Sequence, residues 1–282
     1  MDKTLISPLI SPMAPLPTHL PPKGKLRKAL GCLLCDIYGT LFISGSGDIL
    51  TGQQHETPHG AIDELLARYK LHMSPTTLVH GLHTAIDKEH QKALAMGVDY
   101  PEIQIEKLWS LILPFKNTER IRAFAVEYEM IMNPVWPMPG VDELITTCQK
   151  NGLGLGIISN AQFFTPYLFE WFLGKDPQAL GFDPRLTFYS YQYARAKPSA
   201  FLYQLAVKKL HQIGISTDRV AFIGNDMRND IVPARQAGFQ TILFAGDARS
   251  LRMRKDDPTC QNVDPDLRIT HLNQLTPYLT KG

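Results

Sequence analysis

An apolar run that stops on a lone carboxylate sets the terms for this chain. Residues 32–35 read Cys-Leu-Leu-Cys, Asp36 follows, and Gly39-Thr40 turns the chain at once. A short apolar run closed by turn residues is the signature of a strand buried on both faces of a parallel sheet. In such sheets ligands gather just outside the carboxyl ends of the strands. The residues that build the core thus also deliver Asp36 to a rim where chemistry is done. An Asp that merely opens a turn would look the same in isolation, so the other strand ends must decide.

Those ends repeat the pattern. A helix is expected over 141–150, then a strand over 153–158 that ends at Ser159-Asn160, and a helix over 163–173. A strand near 186–189 precedes Lys197, and a helix runs from Pro198 to about His211. The strand over 220–223 ends at Gly224-Asn225-Asp226; a helix follows Asp230 and stops at Gly238, and residues 240–244 make another strand. This alternation predicts an α/β fold, a doubly wound parallel sheet with helices on both faces. Any one polar strand end is an ordinary cap or turn. Three of them in order, with Lys197 in the same half, point to a site.

Between the first strand and this half the period changes to that of helices. Ile62, Leu65, Leu66 and Tyr69 share one face; Ser74-Pro75 is an N-cap followed by a first-turn proline; Pro101-Glu102 opens a third helix with Ile105, Leu108, Trp109 and Ile112; a fourth covers 118–132. The expected organisation is a proline-rich arm over 1–29, an α/β core over 30–44 and 134–282, and an all-helical cap over 45–133. The arm, with Pro8, Pro12, Pro15 and Pro17, forms neither a central strand nor a long helix. It should lie extended on the body or move in solution.

Asp36-Ile-Tyr-Gly-Thr40, Ser159-Asn160, Lys197-Pro198 and Gly224-Asn-Asp-Met-Arg-Asn-Asp230 together resemble the motifs of the haloacid dehalogenase (HAD) superfamily. The resemblance implies a Rossmann-like core with an inserted cap, and a covalent aspartyl intermediate on Asp36. It implies that Lys197 anchors Asp36 and the substrate's charge, and that Ser159 and Asn160, with Tyr38 and Thr40 nearby, contact the substrate anion. It further implies Mg²⁺ held by Asp36, the main-chain carbonyl of Tyr38, Asp226 and Asp230, with Asn225 an alternative member because the acidic motif can be aligned one residue either way. Hard oxygen ligands suit Mg²⁺. The expected activity is Mg²⁺-dependent hydrolysis of a small phosphorylated metabolite.

One position departs from the phosphatase pattern. Where those enzymes carry a second Asp as acid and base, this chain has Tyr38. A phenol with a pKa near 10 donates a proton but is a poor base at neutral pH. Asp-x-Tyr-Gly-Thr looks like the 2-haloacid dehalogenase branch, where the leaving halide needs no proton, and metal-independent dehalogenation is the alternative reading. A binding protein on the same scaffold is a third. Against dehalogenation, that branch uses an arginine early in the cap, and no arginine lies between Phe42 and Arg68. In favour of a metal, three carboxylates facing Lys197 alone would repel an anionic substrate.

Composition narrows the remaining classes. A formal net charge of +2 argues against nucleic acid and membrane surfaces as partners. No apolar run reaches the roughly 18 residues of a membrane span. The expectation is a cytoplasmic protein acting on a small anionic substrate. The basic stretch 249–255 reads as a solvated loop. Cys32 and Cys35 imitate a C-x-x-C pair, but residues three apart on a strand point to opposite faces and cannot share a ligand. His80, His83, Asp87 and His90 fall on one helical face. A polar surface is the expected use of that stripe, and a metal site or contact with substrate the sharper alternatives.

Overall fold

A computed structural model describes residues 3–46 and 58–280. The turn-rich sequence Ser44-Gly-Ser-Gly-Asp48 passes outside the described residues after Ser46. Among the described residues the strands are β1 (Lys23–Gly24), β2 (Cys32–Cys35), β3 (Phe42–Ser44), β4 (Val135–Pro137), β5 (Gly154–Ser159), β6 (Phe182–Tyr189), β7 (Val220–Gly224), β8 (Gln240–Phe244) and β9 (Leu267–Ile269). Seven of them form one sheet in the order β1-β9-β8-β7-β2-β5-β6. All its pairings are parallel except that of β1 with β9.

The strand carrying Asp36 lies at the centre. Cys35 is level with Ile157 of β5 on one side and with Ile223 of β7 on the other. Asp36 therefore leaves the sheet between two strand ends that release Ser159 and Asn225 at nearly the same height. Cys32 and Leu34 pack into one apolar cluster with Ile158 and Phe222, while Leu33 and Cys35 pack into another with Ile157 and Ile223. The two cysteines thus sit on opposite faces, as strand geometry requires, and all four cysteines are buried free thiols.

Between β3 and β4 come four helices, α1 (His59–Tyr69), α2 (Pro75–Ala95), α3 (Ile105–Ile112) and α4 (Thr118–Met132), among the described residues. Ser74 caps α2, its side chain accepting from the Thr77 N–H at 3.1 Å. Helix α3 starts at Ile105 rather than at Pro101, because Pro101 bridges to Arg195 and the Glu102 carboxylate is taken by Ser190 at 2.7 Å and Gln162 at 3.0 Å. The connector after α4 contains a strand that periodicity does not reveal. β3 and β4 pair antiparallel, Ser44 opposite Val135 and Phe42 opposite Pro137.

The core helices are α5 (Val141–Lys150), α6 (Thr165–Leu173), the short α7 (Ser190–Tyr193), α8 (Ala200–Gln212) and α9 (Val232–Gln236). A single wide turn, Met227–Ile231, precedes α9. The proline-rich segment lies on the body: Ile6 is fully buried, Thr18 donates to the Ala245 carbonyl at 2.6 Å, and the Leu16 N–H donates to Asp247 at 3.1 Å. Among the described residues no helix is long and apolar enough to cross a membrane.

Candidate active site

The strand ends meet around Asp36. Its Oδ1 accepts from Lys197 Nζ at 2.7 Å and from Ser159 Oγ at 2.8 Å. Lys197 Nζ also donates to Asp230 Oδ1 at 2.6 Å, and Asp230 Oδ2 accepts the backbone N–H groups of Asn225 and Asp226 at 3.0 and 2.9 Å. Asp36, Ser159, Lys197 and Asp230 are all buried. Among the described residues Asp36 Oδ2 accepts no hydrogen bond, so one oxygen is fixed and the other keeps its lone pairs.

Two glycines make this convergence possible. Gly39 adopts φ +78°, and a Cβ there would meet Ser250 Oγ at 2.6 Å and Asn225 Nδ2 at 2.7 Å. A Cβ on Gly224 would meet the Asp230 carboxyl at 2.4 Å, so the acidic side chain folds back over the strand end only because residue 224 has none. Asn225 completes the seam: Thr40 Oγ1 donates to its Oδ1 at 3.2 Å, and its Nδ2 donates to the Ser250 carbonyl at 2.6 Å.

The charges are held in opposing balance. Burial alone would lower the Lys197 pKa, but Asp230 and Asp36 outweigh it and hold the ammonium protonated above the ordinary lysine value. Burial raises the Asp230 carboxyl, with Lys197 working against it. Tyr38 is buried with its hydroxyl 3.0 Å from Thr165 Oγ1. Burial lifts its pKa well above the usual phenol value, and the charge of Glu129 is the next largest cause.

Two expected roles look different in the structure. Asn160 spends its side chain on the backbone of Lys197, accepting from the N–H at 2.7 Å and donating to the carbonyl at 3.3 Å. These bonds position the lysine. Asp226, expected beside Asp36 in a metal shell, is turned to Arg254, whose Nη2 lies 2.6 Å from Oδ2 and whose Nε contacts both oxygens at 3.2 Å. Its Oδ1 also caps the following turn through the N–H groups of Arg228 and Asn229.

The stretch 249–255 is therefore not simply a solvated loop. Arg254 neutralises Asp226, Arg249 pairs with the buried Asp247 at 2.8 Å, and Ser250 is fully buried against the site. Arg254 meets a partner 28 residues away and Ser250 one 25 residues away, so neither contact gives a local signal. Thr165, which holds Tyr38, is equally hidden, being an ordinary helix-start residue in sequence.

The residues present do not fit the Mg²⁺ shell that the motifs imply. With Arg254 on Asp226, and Lys197 and two N–H groups on Asp230, the negative charge that called for a cation is already compensated. Among the described residues no three His, Cys, Asp or Glu side chains converge to hold a metal. That includes the histidine stripe. Burial lowers the pKa of the half-buried His90, Asp87 is exposed, and His83 lines a pocket. Arg68 is engaged by Glu127 at 2.5 Å, within the helical insert.

Comparison with known proteins agrees with this geometry at the level of fold. Residues 194–275, which include Lys197 and the acidic motif, match the family model described as HAD-hydrolase-like. No curated protein matches the chain by sequence. The structure is similar to a 2-haloacid dehalogenase from Pseudomonas syringae pv. Tomato DC3000, with TM-score 0.57 and 18% identity over 89% of this chain and 98% of that one. It is similar to a HAD phosphatase from Thermococcus onnurineus, with TM-score 0.53 and 15% identity over 89% and 98%. A third likeness is to CbbY from Rhodobacter sphaeroides, solved as a point mutant in complex with xylulose-1,5-bisphosphate, with TM-score 0.51 and 17% identity over 89% and 99%. The fold is therefore that of these structures, and the segment 194–275 is similar to the HAD-hydrolase-like family model.

Proposed function

We propose that this chain is a hydrolase that uses Asp36 as a nucleophile on a small anionic substrate, and that the leaving group departs without a proton, as halide does from a 2-haloacid. The observation that carries this is the pairing of a pinned Asp36 with a Tyr38 locked onto Thr165. Asp36 Oδ2 attacks the carbon bearing the halogen, the carbon–halogen bond breaks, and halide leaves with the electron pair. Water then attacks the aspartyl ester carbonyl, releasing the hydroxy acid and one proton and restoring Asp36. Lys197 holds Asp36 Oδ1 and supplies positive charge beside the substrate. Ser159 is the hydroxyl placed to exchange Asp36 for the substrate carboxylate. Asn160 and Asp230 fix Lys197, and Thr40 with Asn225 fixes the loop that carries Asp36.

A second reading is Mg²⁺-dependent hydrolysis of a small phosphorylated metabolite. The run Asn225-Asp226 with Asp230 beside Asp36 favours it. Mg²⁺ would be held by Asp36, the Tyr38 carbonyl and either Asn225 or Asp226, and would supply charge neutralisation for a phosphoryl group. This reading requires Asp226 to give up Arg254, and it leaves only the Tyr38 phenol, held by Thr165, as proton donor, with a poor base for the water that follows. The two readings separate in one experiment. Chloride release from 2-chloropropionate, unchanged by EDTA, is the expected result. Phosphate release from an aryl phosphate that requires added Mg²⁺, with no chloride release, replaces the first reading by the second. Neither activity would leave a binding protein.

A further inference from the structure

The helical insert touches the core through more than its two connections at β3 and β4. Between α2 and α3, residues 100–105 lie against the loops that follow β5 and β6. The Ala196 N–H donates to the Tyr100 carbonyl at 2.8 Å, the Glu102 N–H donates to the Ala194 carbonyl at 3.2 Å, and Pro101 bridges to Arg195. Residues 194–196 lead directly into Lys197. Further along, Gln104 Nε2 donates to the Tyr191 carbonyl at 3.1 Å, and Ser190 Oγ donates to Glu102 Oε2 at 2.7 Å.

Gln162 is the buried centre of this contact, at 1% exposure. Its Nε2 donates to the Ile103 carbonyl at 3.1 Å and to Glu102 Oε1 at 3.0 Å, and its Oε1 accepts from the Ile105 N–H at 3.0 Å. A primary amide has two hydrogens to donate, so Gln162 spends both on the insert. The main chain of the same residue serves the core. Its N–H donates to Thr165 Oγ1 at 3.1 Å, and its carbonyl accepts the Thr165 N–H at 2.9 Å. Thr165 Oγ1 in turn lies 3.0 Å from the Tyr38 hydroxyl. A continuous series of hydrogen bonds thus runs from the insert to the phenol two residues beyond Asp36. Buried series of this kind fix one geometry when every member is satisfied.

We propose that Gln162 is a positioning residue, through which seating of the insert on the core sets the Tyr38 hydroxyl beside Asp36. With residues 102–105 seated, the Gln162 amide is filled and its backbone is held in the turn that delivers Thr165. With those residues lifted away, the buried amide is left unpaired, which is costly, and it must turn towards water. The turn that it begins loosens with it, and Thr165 no longer holds the phenol in one place. A residue that only glued two surfaces together would need the side-chain contacts alone. The reciprocal pair with Thr165 ties the same residue to the site. Closure that completes a site in this way links entry of substrate to readiness of the reacting groups. Its value for turnover rests on the reading of Asp36 as nucleophile, whereas the link between insert and phenol does not.

The test follows the insert and the phenol separately in the full chain. Exchange of the Ile105 amide hydrogen reads the seating. The Tyr38 Cζ resonance of a ¹³C-tyrosine-labelled chain, assigned by its loss in Tyr38→Phe, reads the hydroxyl's hydrogen bond. Thr165→Val removes the partner outright and fixes the direction in which that resonance moves. Gln162→Met keeps the volume and removes the amide, and Glu102→Ala acts from the half-buried insert side. Each should speed Ile105 exchange at least about tenfold and move the Tyr38 resonance in the direction set by Thr165→Val. Where Gln162→Met does not fold, Glu102→Ala carries the same two readings. Faster exchange with an unmoved Tyr38 resonance would overturn the proposal, and so would exchange that stays at the parent's rate. In a parent that releases chloride from 2-chloropropionate, Gln162→Met should lower kcat and leave KM nearly unchanged; the reverse split would overturn the proposal. A parent without turnover removes the reading of Asp36 and leaves the resonance and exchange readings to decide the coupling.

Discussion

The floor at the strand ends and the helical insert each bury carboxylates; the floor pairs all of its own, while the insert pairs Glu127 with Arg68 and leaves Glu129 without a cation among the described residues. On the floor, Asp36 and Asp230 share Lys197, Asp230 takes two backbone N–H groups, and Asp226 has its own arginine. In the insert, Glu129 has a single amide and a pocket among the described residues. Paired burial gives a rigid, preorganised constellation whose electrostatics are fixed before substrate arrives. Unpaired burial gives a group whose protonation and partner remain open. The difference fits the proposed use of the floor for chemistry.

The most severe way to test this contrast is to remove the carboxylate of Asp36, the proposed nucleophile. Asp36→Asn should lower kcat by roughly 10⁴-fold or more while leaving the fold intact, because the amide still accepts from Lys197 and Ser159. Retained turnover in single-substrate assays would break the assignment of the floor to chemistry.

Next in size is the lysine. Lys197→Met leaves two buried carboxylates facing each other and should destabilise by roughly 3–5 kcal/mol at pH 7 in urea unfolding. The loss should shrink at pH 5, where Asp230, whose carboxyl burial raises, takes up a proton more readily. A second change, Asp230→Asn, should recover part of it at neutral pH.

The insert should behave in the reverse sense. Burial pushes the Glu129 carboxyl up to about 7, with Asn133 working weakly against it. Its folded value lies above the unfolded one, so its contribution to stability is full below about pH 4.5 and is lost as pH rises through about 7. Glu129→Gln should match the parent near pH 4.5 and exceed it by about 3 kcal/mol above pH 7.5, as read from urea midpoints across that window. A parent and variant that run parallel over the whole range would mean that Glu129 is partnered after all. The smallest effect belongs to Arg254→Ala. The Arg254 side chain is one-third exposed, so solvent screening limits the stability loss to about 1 kcal/mol. The informative readout is metal binding: a gain of Mg²⁺ affinity measured by calorimetry would show that this arginine keeps Asp226 from a cation.

Much of the floor is legible in the sequence because each of its residues sits where a regular pattern stops. Asp36, Ser159 and Asn225 close apolar runs, and parallel pairing in register brings such ends to one edge. What stays hidden depends on contacts far apart in the chain. β1, β3 and β9 are two or three residues long, and their pairing defines them, with no period of their own to announce them. Arg254 acts across 28 residues on Asp226, and in sequence it looks like one charge in a basic loop. Glu127 and Glu129 read as the polar side of a helix, because sequence does not tell which face of a helix inside an insert is covered.

The ladder between β3 and β4 has one more implication. The chain leaves the core at Ser44 and re-enters it at Val135 directly opposite, so departure and return occupy adjacent rungs. A connection of about two residues could close that gap as a plain hairpin. Whatever length of polypeptide is spliced there, the backbone that presents Asp36 meets the same boundary. The inserted helices can then be exchanged as a cassette while the strand ends around Asp36 keep their register.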